Sequence, residues 1–93
     1  MGILYISEYV DAKLNAGIEP ATTNHTVTFT TSAGISAVFG APVGFVRLNT
    51  DTPCAIRFGT NPTATTSDKR MAANSTEYFA VHPGLRVSVV ELV

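Results

Sequence analysis

The side chains that most often perform chemistry in proteins are few in this sequence. It contains two histidines, His25 and His82, and one cysteine, Cys54. A cysteine nucleophile can work with a histidine base that is distant in sequence, so Cys54 and His82 form a candidate hydrolase pair. Cys54, however, alternates with Ile56 and Phe58 along one apolar face, and a free cysteine in such a setting behaves as a small hydrophobic residue. We therefore expect Cys54 to lie in the core.

The two histidines do not form a metal-binding pattern. A zinc site needs three or four ligands, commonly at short spacing. The acids nearest to His82 are Glu77 and Glu91, and both fall in predicted strands. We expect His25 and His82 to be surface or loop residues, and we expect no bound metal.

The acidic residues are scattered and single out no catalytic pair. A glycosidase holds two carboxylates roughly 5–10 Å apart, and nothing in the sequence marks two of these acids as partners. The glycines fall in turns, and none belongs to a phosphate-binding or dinucleotide-binding motif. We therefore expect no catalytic activity and no cofactor. The acids are Glu8, Asp11, Glu19, Asp51, Asp68, Glu77 and Glu91.

The composition predicts a single all-β domain over residues 1–93. A length of 93 residues lies within the usual range of about 50–200 residues for one domain. Thr, Val, Ile, Phe and Tyr number 13, 10, 5, 5 and 3, and these types are enriched in strands. Charged residues are only 14% of the chain against a usual ~25%. The surface must therefore consist largely of Thr, Ser, Asn and Ala.

Charge and hydropathy argue against nucleic-acid and membrane partners. The net charge is −1, and no run of basic residues exceeds Lys69-Arg70, so the basic surface of a nucleic-acid binder is missing. The longest apolar runs, such as Ile3–Ile6 and Val87–Val90, are far shorter than the ~20 residues that span a bilayer. The N-terminal residues lack the basic segment of a signal peptide, and a lone cysteine allows no internal disulfide. We expect synthesis in the cytoplasm.

Alternation of apolar and polar residues locates the strands. It is clearest at Thr26–Thr30, where Val27 and Phe29 face one way and three threonines face the other. Glycine, proline, asparagine and aspartate separate such segments at the spacing typical of small all-β domains. The pattern predicts a single compact antiparallel β-sandwich or small barrel of about six to eight short strands. The main predicted strands are residues 3–9, 26–30, 45–50, 54–58, 77–81 and 85–93.

Two turn sequences are predicted to close hairpins. Thr50–Pro53 separates the strands at 45–50 and 54–58, and its Asp and Pro favour a tight reversal. His82-Pro83-Gly84 separates the last two strands and suits a type II turn.

Arg47 and Arg57 are predicted to lie mid-strand, each on the face opposite the apolar residues. The first hairpin would bring the two arginines near each other, or near Asp51 and Glu77. Two interpretations follow. Each arginine faces solvent with its stem over the sheet, or it contributes to a protein interface, where arginine is enriched.

The remaining segments carry weaker patterns. Asp11–Ala16 contains good helix formers, but Gly17 and Pro20 limit them to about one turn. Ile35, Ala37 and Phe39 are predicted to share a face. Residues 59–76 show no apolar periodicity and are predicted to form one long loop, with a short helical turn around residues 67–73.

Two segments are candidates for contact with a partner. A connection as long as 59–76 is usually functional or mobile, and its candidate contact residues are Asn61, Arg70 and Met71; the alternative is a mobile loop. The N-terminal segment Ile3–Tyr9, which contains Tyr5, could act as an arm that adds a strand to a partner's sheet. The alternative is that it pairs within its own sheet.

Three stretches resemble small proteins encoded in the structural-gene regions of tailed bacteriophages. The first is FVRLNTDTPC at residues 45–54, the second is FGTNPTAT at 58–65, and the third is EYFAVHPG at 77–84, followed by the valine-rich 87–90. The opening residues 4–9 fit the same group. The segment Asn24–Gly44 carries no part of the resemblance.

The resemblance implies a non-enzymatic virion structural protein, and in particular one that decorates or cements the capsid exterior. Its partner would be the major capsid protein. Such a protein would also self-associate, and a trimer would match the three-fold positions of a capsid lattice. The low charge agrees with assembly, because a net charge near zero favours association.

Two alternatives remain open. One keeps the protein in the virion but places it in the neck, tail or baseplate. The other is a small carbohydrate-binding β-sandwich for host attachment. A carbohydrate site places aromatic faces beside polar groups, and the candidates are Tyr78 with Tyr5 or Tyr9; the absence of Trp argues against it.

Overall fold

The computed structural model describes residues 2–9, 12–13, 16–17, 23–40 and 43–92, and the regular secondary structure of these residues is entirely β. The described residues contain ten strands rather than the predicted six to eight, because four of the strands are only two or three residues long. The strands are β1 (Gly2–Tyr9), β2 (Ala12–Lys13), β3 (Ala16–Gly17), β4 (Thr23–Phe29), β5 (Gly34–Ile35), β6 (Phe45–Thr50), β7 (Cys54–Gly59), β8 (Lys69–Met71), β9 (Ser75–Ala80) and β10 (Arg86–Glu91).

Eight strands form two four-stranded antiparallel sheets. The front sheet has the order β4-β1-β6-β9, and the back sheet has the order β5-β10-β7-β8. The strands β2 and β3 form a separate two-stranded ladder, so the helical turn predicted at 11–16 is wrong for residues 12, 13 and 16. Its other residues lie outside the described residues. The predicted all-β class is confirmed, and of the two predicted architectures the structure is consistent with the small sandwich.

The inward side chains of the two sheets form one apolar core. In β1, Leu4 and Ile6 are buried while Tyr5 between them is exposed, which is the alternation expected of a strand covered on one face. Cys54 is fully buried, as predicted. Burial raises the pKa of its thiol, so the unreactive protonated form prevails at neutral pH.

The N-terminal segment is a central strand. β1 pairs with β4 on one side, through contacts such as Tyr5 with Thr26, and with β6 on the other, through contacts such as Ser7 with Arg47. Its backbone groups are therefore used within its own sheet. The proposed N-terminal arm is wrong, and the alternative of internal pairing is confirmed.

Neither predicted hairpin exists. β6 lies in the front sheet and β7 in the back sheet, and β9 and β10 are divided in the same way. The turns themselves are present: the Thr50 hydroxyl donates to the carbonyl of Thr52 over 2.7 Å, and the Leu85 N–H bonds to the His82 carbonyl with Gly84 at φ 90°. Turn residues show where the chain reverses, and they do not show which sheet the next strand joins.

The predicted long loop at 59–76 is interrupted by β8 (Lys69–Met71), and β9 begins at Ser75. The helical turn expected around 67–73 is therefore wrong, because Lys69–Met71, in the middle of this segment, pair with β7. The remaining connection, residues 60–68, is fixed to the outside of the back sheet. The backbone N–H of Ala64 donates to the Ser88 hydroxyl over 2.9 Å, and that hydroxyl donates to the Gly34 carbonyl over 2.8 Å.

The predicted shared face of Ile35, Ala37 and Phe39 is also wrong. Phe39 is buried in the core, but Ile35 is 41% exposed and Ala37 is exposed. Regular strand structure ends at Ile35, so the period of two that relates the three positions does not continue.

Candidate binding surfaces

The six candidate contact residues separate into three groups. Tyr5 and Arg47 lie on the outward side of the front sheet, and Arg57, Asn61 and Arg70 lie on or beside the back sheet. Met71 is only 2% exposed and belongs to the core.

Met71 cannot contact a partner directly, which corrects its assignment as a contact residue. It pairs with Cys54 in the β7–β8 ladder and alternates inward, whereas its neighbour Arg70 points outward. The absence of periodicity in the surrounding sequence concealed this strand, because three residues are too few to show alternation.

The front face is the outward surface of the front sheet, and two adjacent rows of its side chains contain the candidates Tyr5 and Arg47. The row through Tyr5 and Asn49 consists of small polar residues around one exposed ring; the next row contains Ser7, Arg47 and Tyr78. The ladder registers define the rows as Thr26–Tyr5–Asn49–Thr76 and Asn24–Ser7–Arg47–Tyr78.

A shallow groove of about 430 Å³ runs over β4, β1 and β6 on this face, with Tyr5, Ser7, Asn24, Arg47 and Asn49 among its lining residues. Its floor includes the central strands β1 and β6, whose backbone groups are already paired on both sides, and the edge strand β4. Over β1 and β6, ligand recognition must therefore rely on side chains.

Hydrogen bonds between neighbours fix the polar side chains of the front face. The Ser7 hydroxyl donates to the Asn24 side-chain carbonyl over 2.6 Å. The Asn49 amide nitrogen donates to the Ser75 carbonyl over 3.1 Å and to the Thr76 hydroxyl over 2.9 Å. These bonds hold the polar groups in place before any ligand arrives.

Arg47 and Arg57 are not neighbours, because they belong to different sheets. Arg57 lies 3.8 Å from Asp68, a partner that the sequence reading did not single out. Arg47 has no ion pair with any residue that the structure describes. The expected approach to Asp51 or Glu77 is not seen for either arginine.

The back face is the outward surface of the back sheet together with residues 60–68. Arg57 and Arg70 point outward from adjacent strands, since Arg70 pairs with Ala55, two residues before Arg57. Ala64 covers Ala55, Val90 and Leu92 in a small apolar cluster. A second shallow depression of about 430 Å³ is lined by Arg57 and residues 58–63, including the exposed Asn61.

The two sheets differ in charge. β7, β8, β10 and the 60–68 connection carry four basic and two acidic residues, a formal charge of +2; these are Arg57, Lys69, Arg70 and Arg86 against Asp68 and Glu91. The four strands of the front sheet carry one basic and two acidic residues, a formal charge of −1; these are Arg47 against Glu8 and Glu77.

A buried carboxylate at the inner side of the front sheet was missed by the sequence reading. Glu8 is only 3% exposed, and one of its oxygens accepts a 2.9 Å hydrogen bond from the Gly40 N–H. The other oxygen lies 2.7 Å from His25 Nε2. A signal was present, because Glu8 follows Leu4 and Ile6 with a period of two and so falls on the same inward face.

His25 is not a surface or loop residue, which corrects the prediction. Its side chain is 18% exposed, and its ring meets Phe39 edge-on with a centroid distance of 6.5 Å. The reason is that β4 begins at Thr23, earlier than predicted, so His25 shares the inward face with Val27. His82 is exposed, as predicted.

No group of three or more His, Cys, Asp or Glu side chains that could hold a metal ion occurs among the described residues. Within the same residues there is no helix with the length and apolar character needed to cross a membrane. Comparison with protein-family models, with curated proteins and with solved structures finds no match.

Proposed function

We propose that the protein is a non-enzymatic structural component of a tailed-bacteriophage virion and that it decorates or cements the exterior of the assembled head. The observation that carries this proposal is the positive back face, which holds Arg57, Asn61 and Arg70, three of the residues selected as contact candidates. The sequence resemblance at residues 45–54, 58–65 and 77–84 supplies the class of partner, the major capsid protein.

The back face has the properties of a preformed protein-binding surface. The side chain of Arg57 is 55% exposed, and Arg70 is exposed on the neighbouring strand; arginine is enriched in interfaces and their hot spots. The adjoining connection is held by Ala64, and its Asp68 carboxylate accepts a 2.8 Å bond from the Thr65 N–H. Because the backbone of this connection is held in place before contact, binding need not order it and costs less conformational entropy. The positive charge of the back face favours contact with an acidic patch on the capsid.

Self-association is part of the proposal. A chain with 14% charged residues has little electrostatic repulsion to keep copies apart, and closed rotational symmetry is the usual outcome of such association. A trimer would match three-fold positions on a capsid lattice. Light scattering coupled to size-exclusion chromatography measures the mass directly; a monomer at every concentration would contradict this part.

The test uses capsids of the encoding phage from which this chain has been removed. We expect the added wild-type protein to bind them and to raise their resistance to heat. Replacing Arg57 and Arg70 together by Ala removes two outward charges without changing the core. We expect the double variant to bind these capsids about tenfold or more weakly than the wild-type protein does. Raising the salt concentration should weaken capsid binding by the wild-type protein more than binding by the variant. Arg47→Ala, on the opposite face, is the matched control.

The location of the protein in purified particles separates this proposal from its closest alternative. Copies recovered with heads support decoration. Copies recovered only with necks, tails or baseplates would move the protein to those structures, and particles without any copies would refute a virion role.

A further inference from the structure

We propose that the front face is a second binding site and that it takes a carboxylate-bearing saccharide. Arg47 would bind the carboxylate, the ring of Tyr5 would pack on a sugar ring, and side chains beside them would bind sugar hydroxyls. This inference goes beyond the proposed role of the back face and does not depend on it.

Arg47 supplies the positive charge of the proposed site. Its side chain is half-buried in the middle of the sheet, opposite Ser7 on β1 and Tyr78 on β9, and no described residue forms an ion pair with it. A guanidinium presents five donors in a planar fork that matches a carboxylate. The partly desolvated position strengthens such a pair relative to one in open water.

The hydrogen-bonding groups left over around Arg47 are both donors and acceptors. Asn49 uses its amide nitrogen on Ser75 and Thr76, which leaves its carbonyl oxygen to accept. Asn24 uses its carbonyl oxygen on Ser7, which leaves its amide N–H groups to donate. A sugar hydroxyl both donates and accepts, so it suits this mixture better than a carboxylate alone does.

Two exposed tyrosines supply flat apolar surface beside these groups. Tyr5 lines the groove and is 44% exposed. Tyr78 is 46% exposed and stands directly across from Arg47 on β9. β1 and β9 are separated by β6, so the two rings stand on strands about 10 Å apart, which is close to the length of a disaccharide. Aromatic rings beside polar groups in an open groove form an amphipathic surface that suits a sugar ring.

A peptide is the less suitable occupant of this face. Extended peptides commonly bind by adding a strand to a sheet edge, where main-chain groups are unpaired. The groove lies over β4, β1 and β6, and the central strands β1 and β6 are paired on both sides. Across β1 and β6 the groove therefore offers no free main-chain ladder, and the unpaired side of β4 lies at its margin, facing away from β1.

The test uses the full chain and an array of sialylated and uronate-bearing glycans, each beside its neutral counterpart, followed by calorimetric titration of 3′-sialyllactose and lactose or of the best acidic–neutral pair from the array. We expect the acidic member to bind about tenfold or more tightly than the neutral one. Arg47→Ala should abolish that preference, and Tyr5→Ala should weaken both ligands. Arg70→Ala, which removes an outward arginine from the back face, is the matched control and should change neither.

Three results would overturn the inference. These are no binding to any acidic glycan, a preference that survives Arg47→Ala, or a tetraglutamate peptide that binds as tightly as the best saccharide. The last result would assign the front face to an acidic protein partner. Since the titration contains no capsid, its outcome is independent of the proposed head decoration.

Discussion

At the scale of single residues, the buried Glu8 carboxylate connects three parts of the chain. It lies on β1, accepts a bond from the Gly40 N–H and lies 2.7 Å from a nitrogen of His25 on β4. A carboxyl group buried this deeply is costly unless its oxygens have polar partners. The contacts of Glu8 are structural, because they hold the segment around Gly40 against the end of the front sheet.

Two substitutions of Glu8 are predicted to lower the stability of the protein by different amounts. Glu8→Ala leaves the Gly40 N–H without its acceptor and removes the oxygen that lies 2.7 Å from His25 Nε2, so we expect the free energy of unfolding to fall by about 3 kcal/mol. Glu8→Gln keeps an oxygen for Gly40 and should cost less. Urea unfolding of the two variants measures the difference; equal stability of wild type and Glu8→Ala would contradict the assignment.

The exposed carboxylate of Asp51 has a different effect, which depends on pH. It accepts a 2.8 Å bond from the Ile3 N–H and another from the Thr52 hydroxyl, and these bonds lower its pKa from the usual 3.8. A carboxyl with a lowered folded pKa stabilises the protein fully above its unfolded pKa, and this contribution is lost as pH falls through the folded pKa.

We therefore predict that Asp51→Asn is most destabilising, relative to wild type, at neutral pH. The difference should shrink as the pH falls below about 4, through the unfolded and then the folded pKa of Asp51. Unfolding curves between pH 7 and pH 2 test the trend. A carboxyl titration of Asp51 by NMR with a midpoint at or above 3.8 would contradict its cause.

At the scale of elements, the passage from β4 in the front sheet to β5 in the back sheet is tightly constrained. After β4 the chain enters the back sheet at Gly34, where a Cβ would lie 2.8 Å from the carbonyl oxygen of Thr28 and 2.9 Å from a methyl of Val27. The first of these atoms is backbone and cannot rotate away. Glycine is needed here for close approach of two chain segments.

Gly34→Ala is predicted to destabilise the protein by roughly 1–3 kcal/mol, since the added methyl forces a backbone shift. Gly59→Ala is the matched control, because its Cβ would meet Pro62 at an ordinary 3.5 Å. Thermal unfolding of both variants compares the positions. Equal melting temperatures for the two variants would show that the crossing at Gly34 tolerates a side chain.

Sequence alone predicted the elements better than their arrangement. The strands at 45–50 and 54–59 were expected almost at their observed bounds, because alternation is a local property that each segment displays by itself. Pairing is not local: the partner of β7 on one side is β10, some thirty residues later. The front face was missed as a unit for the same reason, since its residues come from four separated strands.

At the scale of the whole molecule, the two sides of the sandwich differ in charge and in exposed aromatic surface. The back sheet and its 60–68 connection have a formal charge of +2, whereas the front sheet has a formal charge of −1 and exposes Tyr5 and Tyr78. The faces are on opposite sides of the core, so a subunit seated by one leaves the other accessible. Substitutions at Arg47 and at Arg57 should therefore act independently, as distant sites generally do.

The passage of the chain from sheet to sheet also determines when it can fold during synthesis. The back sheet has β10, at Arg86–Glu91, between β5 and β7, and the front sheet is incomplete without β9, at Ser75–Ala80. A ribosome adds about 5–20 residues per second, so the earlier strands wait seconds for their partners with apolar faces uncovered. The front sheet lacks its last strand until residue 80 has emerged, and the back sheet lacks β10 until residue 91 has emerged, so the core between the two sheets is complete only after residue 91.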